Sequence, residues 1–205
     1  MQPSALHRHF SLQHSTFSIV CVLLCSAACR IVPGRDVRYE PTPTAVVRQM
    51  LTLAGVGPTD VVFDLGSGDG RIPIMAAKEF GARGVGIDID PVMVERARQN
   101  AHAAGVADRV EFRLGDMYDA NLAGATVVTL FLHPEPNRKL RPKLRRELQP
   151  GARVVSYMWN MGDWTPDDSL KVNRHRVFLW RITARSPSEL PAKGFSARAT
   201  EWTTS

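Results

Sequence analysis

Residues 61–71, VVFDLGSGDGR, decide the fold. Val61 to Leu65 is a short apolar run that stops at glycines, the pattern of a strand buried on both faces of a parallel sheet. Arg71 to Phe80 then reads as a helix in which Pro73 is tolerated, because N–H groups of the first turn have no intrahelical partner to lose, and Gly81 closes it. Gly66, Gly68 and Gly70 let the backbone between strand and helix turn tightly and approach a ligand with no Cβ in the way. Open α/β sheets bind ligands at the carboxyl ends of their strands, so the backbone N–H groups of this bend are expected to face one.

The pattern continues outward in both directions. Val47, Met50, Leu51 and Ala54 recur at i, i+3, i+4 and i+7, which predicts a helix over Thr44 to Ala54 stopped by Gly55. Downstream, Gly84 to Ile89 reads as strand two, and Asp90 caps a helix with Pro91 at its first position and Gly105 just past its end. Val110 to Leu114 is strand three, Thr126 to Leu132 strand four, Asn137 to Leu148 a helix and Arg153 to Met158 strand five. Leu170 to Val172, a turn at Asn173 and Arg174, and Val177 to Ile182 read as a closing hairpin. This alternation predicts an α/β fold: one doubly wound, mostly parallel Rossmann-like sheet with helices on both faces and a C-terminal antiparallel hairpin, in a domain over residues 39–183.

The bend carries chemistry. Dinucleotide sites use G-x-G-x-x-G with a pyrophosphate at the helix N-terminus, whereas the spacing here is G-x-G-x-G with Asp64 two residues ahead. That suits a nucleoside without phosphate. S-adenosylmethionine (SAM) offers an amino group and a sulfonium, both cationic, which Asp64 and Asp69 can favour electrostatically. Asp88, about 20 residues beyond the bend at the end of strand two, is positioned to accept hydrogen bonds from ribose hydroxyls, and Asp90 is the better capping residue. Gly115-Asp116-Met117 ends strand three, where Asp116 can accept from an adenine amino group and Met117 can pack on the ring. Acidic strand ends at 64, 88 and 116 thus lie along one edge of the sheet, within reach of one extended ligand.

These residues resemble the class I SAM-dependent methyltransferases: DLGSGDGR is similar to their first motif, GVGIDID to their second and GDM to the adenine-contacting one, over residues 39–158. A closer similarity, carried by YEPT at 39–42, TLFL at 129–132 and RPKL at 141–144, is to the seven-strand lysine methyltransferases of ATP synthase c-subunit and adenine nucleotide translocase and their small bacterial relatives. The resemblance implies SAM as cofactor, extends its binding set to Asp64, Gly66, Ser67, Gly68, Gly70, Asp88, Ile89, Asp116 and Met117, adds Tyr39 as a contact that helps close the site, and implies a protein lysine as acceptor. After strand four, Leu132-His133-Pro134-Glu135 stands where amide and adenine N-methyltransferases carry N-P-P-Y, which disfavours those acceptors. Glu135 and His133 are acceptor-side candidates by location alone, and Trp159 and Trp164 either line an acceptor entrance or anchor the loop. No catalytic residue is assigned. The alternatives are a small-molecule methyltransferase, a SAM-binding protein without turnover and, with less support from the glycine spacing, an NAD-type oxidoreductase.

Composition bounds the rest. With 44% apolar and 22% charged residues the chain is an ordinary globular protein. Cys21, Cys25 and Cys29 all precede the domain, so no disulfide, thiolate nucleophile or Cys-based metal site is expected in it, and no metal is implied. Lys and Arg exceed Asp and Glu by 26 to 20, compatible with an acidic partner, but no base-stacking interleaving of aromatic and basic residues appears and nucleic acid is disfavoured. Arg138, Lys139, Arg141, Lys143, Arg145 and Arg146 surround the helix after strand four, either as a solvated face or as a surface for an anionic bilayer or acidic protein.

Residues 1–30 read as a signal peptide or a membrane anchor. The apolar run Phe17 to Cys29 is shorter than the roughly 20 residues of a spanning helix, and Ser26, Ala27 and Ala28 resemble a cleavage site near Cys29, with lipidation of Cys29 a weaker option. Against export, Arg30, Arg35 and Arg38 follow the run, which by the positive-inside rule holds the domain on the cytoplasmic side, where SAM is made. Membrane association through this segment is therefore kept beside export. Residues 186–205 read as a disordered tail.

Overall fold

The structure is a computed structural model that describes residues 39–184, so the expectations for the leader at 1–30 and the tail at 186–205 lie outside the described residues. The elements are α1 (Thr44–Leu53), β1 (Val61–Leu65), α2 (Arg71–Phe80), β2 (Arg83–Asp88), α3 (Pro91–Ala104), β3 (Val110–Leu114), β4 (Val127–Leu130), α4 (Pro134–Glu147), β5 (Arg153–Tyr157), β6 (Asp168–Val172) and β7 (His175–Arg181). The seven strands form one sheet in the order β3-β2-β1-β4-β5-β7-β6. The first five run parallel, and β7 enters antiparallel between β5 and β6.

Local chemistry fixes the boundaries. Gly70 and Gly81 bracket α2 with φ of 79° and 71°, the left-handed region that costs glycine nothing. Asp90 caps α3 by accepting from the Val92 N–H at 2.9 Å, with Pro91 following, and Gly105 ends it at φ 71°. The hairpin turns at Asn173, φ 55°, a residue type that tolerates this conformation.

The departures from expectation are at ends. β2 begins and finishes one residue early, and β4 is only Val127–Leu130 because the chain leaves the sheet at Phe131. β5 stops at Tyr157, since Met158 takes φ 68°. α4 starts at Pro134 rather than Asn137: Pro134 and Pro136 both fall in the first turn, where a missing N–H costs nothing, so two prolines that read as loop belong to the helix.

Each face of the sheet has its own core. Val47, Met50 and Leu51 of α1 pack with Ala76, Val127, Val155 and Leu179 on one side. Leu140, Leu144 and Leu148 pack with Leu65, Val128, Leu130 and Trp180 on the other. The three leucines are fully buried, each contributing roughly 1.5–3 kcal/mol of transfer free energy, which fixes α4 against β4 and β5 and so fixes the loop between β4 and α4. Among the described residues no helix is long and apolar enough to cross a membrane.

Candidate functional site

Register aligns the rim. Leu65 pairs with Ile87 on one side and Leu130 on the other, and Leu130 pairs with Ser156, so Gly66, Asp88, Phe131 and Tyr157 follow in a row along the carboxyl ends of these strands. Asp64, Asp88 and Asp116 lie at or just beyond the ends of β1, β2 and β3, which are neighbours along this edge.

The glycine bend has positive φ at Gly66 (78°), Gly68 (52°) and Gly70 (79°). Two of these positions also lack room for a side chain: a Cβ on Gly70 would lie 2.8 Å from the Ala97 Cβ, and one on Gly68 would run into the Tyr39 ring. Expectation and structure differ over the backbone donors. Gly66 and Ser67 both donate to the Ile87 carbonyl (2.8 and 3.0 Å), Gly68 to Asp88 Oδ2 (2.7 Å) and Gly70 to the Ser67 carbonyl (3.0 Å). These four amides hold the bend's own shape rather than facing a ligand. The reason is geometric: three left-handed residues in five fold the bend back on itself and onto β2. Ser67 is buried, with its hydroxyl beside Gly86 and without a hydrogen-bond partner among the described residues.

Asp64 is buried at 3% exposure and accepts from the Thr129 hydroxyl at 2.6 Å. Burial raises its pKa from 3.8 to about 7; the Thr129 hydrogen bond opposes this, and the charges of Asp88 and Asp69 add to it. A cation brought beside this carboxyl would favour its ionised form. Asp69, expected to act beside it, is committed elsewhere: Arg71 Nε and Nη2 grip its two oxygens at 2.9 and 2.6 Å. Burial alone would raise the pKa of Asp69, but the Arg71 guanidinium holds it below the ordinary range. Arg71 Nη1 also donates to the Thr42 carbonyl at 2.9 Å, and the Tyr39 hydroxyl joins the same cluster, so residues 39–42 are tied down over the bend.

Asp88 Oδ1 accepts from the Asp90 N–H at 2.9 Å while Oδ2 takes Gly68. A carboxylate has about four lone-pair positions, so two remain. Ile89 beside it is half-buried. The Asp88 carbonyl accepts from Gly115 at 2.9 Å, which joins the ends of β2 and β3, and Asp116 Oδ1 accepts from the Tyr118 N–H at 2.8 Å. Met117 is half-buried against the core. Sequence reasoning misses Thr129, Asn137 and Tyr157, because a hydroxyl or amide inside an apolar strand or a basic helix carries no periodic signal.

On the acceptor side Glu135 is solvated and paired with Arg138 at 2.7 Å, and His133 is an exposed cap residue whose ring lies 6.2 Å from that of Trp159. Trp164 is a loop anchor: its ring is 5.8 Å from that of Trp180, whose Nε1 donates to its carbonyl at 2.8 Å. The basic residues of α4 all have partners. Arg138 pairs with Glu135, Arg141 with Asp163, and Lys143 and Arg146 with Glu147, while Lys139 and Arg145 lie over the rings of Tyr118 and Trp164.

Three features fit the cofactor: a carboxylate with free acceptor positions, a buried carboxyl whose pKa is raised to about 7, and Gly66 exposed at the rim. Likeness to known proteins points the same way. Residues 64–168 match a family model described as the ANTKMT methyltransferase domain. Over 151 residues the chain is 42% identical to a protein-lysine N-methyltransferase of Saccharolobus islandicus (strain REY15A), covering 71% of this chain and 94% of that protein. It is 36% identical over 129 residues to the ATP synthase c-subunit lysine N-methyltransferase of Xenopus laevis, covering 63% of this chain and 56% of that protein, and so spans about half its length. Among solved structures, an RNA methyltransferase from Salinibacter ruber in complex with S-adenosyl-L-homocysteine superposes with a TM-score of 0.71 at 54% identity, covering 75% of this chain and all of the other. The chain belongs to the ANTKMT methyltransferase domain family and is a SAM-dependent methyltransferase.

Proposed function

We propose that this enzyme is a protein-lysine N-methyltransferase. The observation that carries the reading is the 42% identity to the archaeal protein-lysine enzyme over 94% of that enzyme's length. The cofactor supplies a methyl group already activated on a sulfonium. Alignment of an unprotonated amine is what remains for the protein to provide. The exits of β4 and β5 bring aromatic residues to this edge of the sheet, where the Phe131 and Tyr157 rings lie 4.8 Å apart. Loss of water around an incoming lysine lowers its pKa toward the reactive amine.

For the cofactor we assign Asp88 to the ribose hydroxyls, Asp64 to the cationic end, Asp116, Met117 and Ile89 to the adenine side, and Gly66, Ser67, Gly68 and Gly70 to the bend that makes room for it. The catalytic domain is residues 39–183. Residues 1–30 we read, on sequence alone, as a signal peptide or membrane anchor, and 186–205 as a tail.

A second reading has one observation in its favour: the 54% identical Salinibacter protein is described as an RNA methyltransferase. One experiment separates the two. The full chain is incubated with methyl-labelled SAM and a cell extract, and the product is treated with protease or ribonuclease. Label released by protease and recovered as methyl-lysine after hydrolysis supports the proposal; label released by ribonuclease overturns it.

A further inference from the structure

Several observations meet where β5 leaves the sheet. Met158 has φ 68°, and among the described residues it shares a positive φ outside glycine only with the hairpin residue Asn173. Methionine gains nothing from this conformation, so its surroundings must impose it. The Trp159 N–H donates to the Tyr157 carbonyl at 2.9 Å, which closes a tight three-residue turn, and the Met158 N–H donates to the Arg176 carbonyl at 2.8 Å.

What holds the turn is a polar side chain from another element. Asn137, fully buried on the first turns of α4, shares its Nδ2 hydrogens among Ser156 Oγ (3.1 Å), the Trp159 carbonyl (3.1 Å) and the Asn160 carbonyl (3.4 Å). Ser156 Oγ in turn donates to the Trp159 carbonyl at 2.7 Å. Three acceptors around one amide nitrogen fix its orientation. Asn137 Oδ1 is buried and has no partner among the described residues, which a residue serving the core alone would avoid.

The location gives this network a purpose. Ser156 is the last position of β5 paired with β4, so the turn faces the exit of β4. There Leu132 lies over the bend, 3.1 Å from where a Cβ on Gly66 would be, and the His133 ring is 6.2 Å from Trp159. The strained turn is thus a wall beside the exit of β4, next to the strand end that leads into the glycine bend.

We propose that Asn137 is a positioning residue for the methyl acceptor: by pinning the Tyr157–Met158–Trp159 turn it sets the wall against which the acceptor side chain is aligned. This rests on the lysine reading above for the identity of the acceptor, although not for the existence of the wall. Small misplacements of a reacting group cost on the order of a hundredfold in rate, so a wall that shifts should show in acceptor kinetics.

The test uses the full chain and whichever acceptor takes the label. Asn137→Ala should lower kcat/KM for the acceptor by about tenfold or more and leave SAM affinity within about twofold. Ser156→Ala, which removes a single support, should move the same parameter less and serves if Asn137→Ala does not fold. Unchanged acceptor kinetics in a folded variant, or equal losses in SAM affinity and acceptor kinetics, overturn the proposal. If the label enters RNA, the lysine reading falls and the same variants are measured on RNA, where the same outcomes decide.

Discussion

Asp88 accepts a hydrogen bond from the Gly68 N–H at 2.7 Å, so the carboxylate proposed for the ribose also braces the glycine bend. Loss of the side chain removes two jobs. Asp88→Ala should weaken SAM binding at least a hundredfold by calorimetric titration, and should lower the cofactor-free stability by about 1.5–3 kcal/mol, the usual worth of a hydrogen bond to a charged group. Unchanged affinity would remove the ribose assignment; unchanged stability would remove the brace.

Asp64 gives a prediction of opposite signs. Its folded pKa of about 7 lies above the ordinary 3.8, so its contribution to stability is full below about 4 and falls as the pH rises to about 7. Asp64→Asn should therefore raise the melting temperature of the cofactor-free protein at pH 8 more than at pH 5, while weakening SAM binding. In the wild type SAM affinity should rise through pH 7 as the carboxyl ionises. A pH-independent affinity between 6 and 8 would sink this account.

Gly68 is confined twice, by φ 52° and by the Tyr39 ring, whose Cδ2 would lie 2.7 Å from an added Cβ. Gly68→Ala should cost about 1–2 kcal/mol from the backbone alone and more from the clash. Tyr39→Ala in the same chain should recover the steric part and not the conformational part. A double-mutant cycle by urea unfolding reads the coupling, and strict additivity would show that the ring moves aside freely.

Arg71 joins Asp69 to the Thr42 carbonyl and thereby holds residues 39–42 over the bend. Arg71→Met keeps most of the apolar stem and removes the clamp. Hydrogen exchange at residues 39–42 should quicken and SAM should dissociate faster, with little change in exchange at α4. Equal protection in the variant would show that the segment is held by other contacts.

Much of this is legible in residues 61–158, because strand, glycine bend and helix each have their own periodicity and their own punctuation. β1, α2 and β3 begin and end where the sequence predicts. The start of α4 is not legible, since Pro134 and Pro136 read as loop until their first-turn positions are seen. For the site, the acidic strand ends are visible as residue types, but their commitments are not. Nothing in the spacing says that Asp69 belongs to Arg71, that Asp64 leans on Thr129, or that the amides of the bend turn inward, because each depends on a partner supplied by tertiary packing. In the sequence Asn137 is only the expected first residue of a helix, and its importance lies wholly in what β5 brings beside it.

The inward-turned amides bear on ligand discrimination. A dinucleotide carries its negative charge in the middle of the molecule and needs several unengaged donors at this bend, whereas Gly66, Ser67, Gly68 and Gly70 already have acceptors within 3.0 Å. A pyrophosphate brought to this bend would find those four amides already engaged, so exchanging side chains around the rim leaves this main-chain obstacle to a dinucleotide in place.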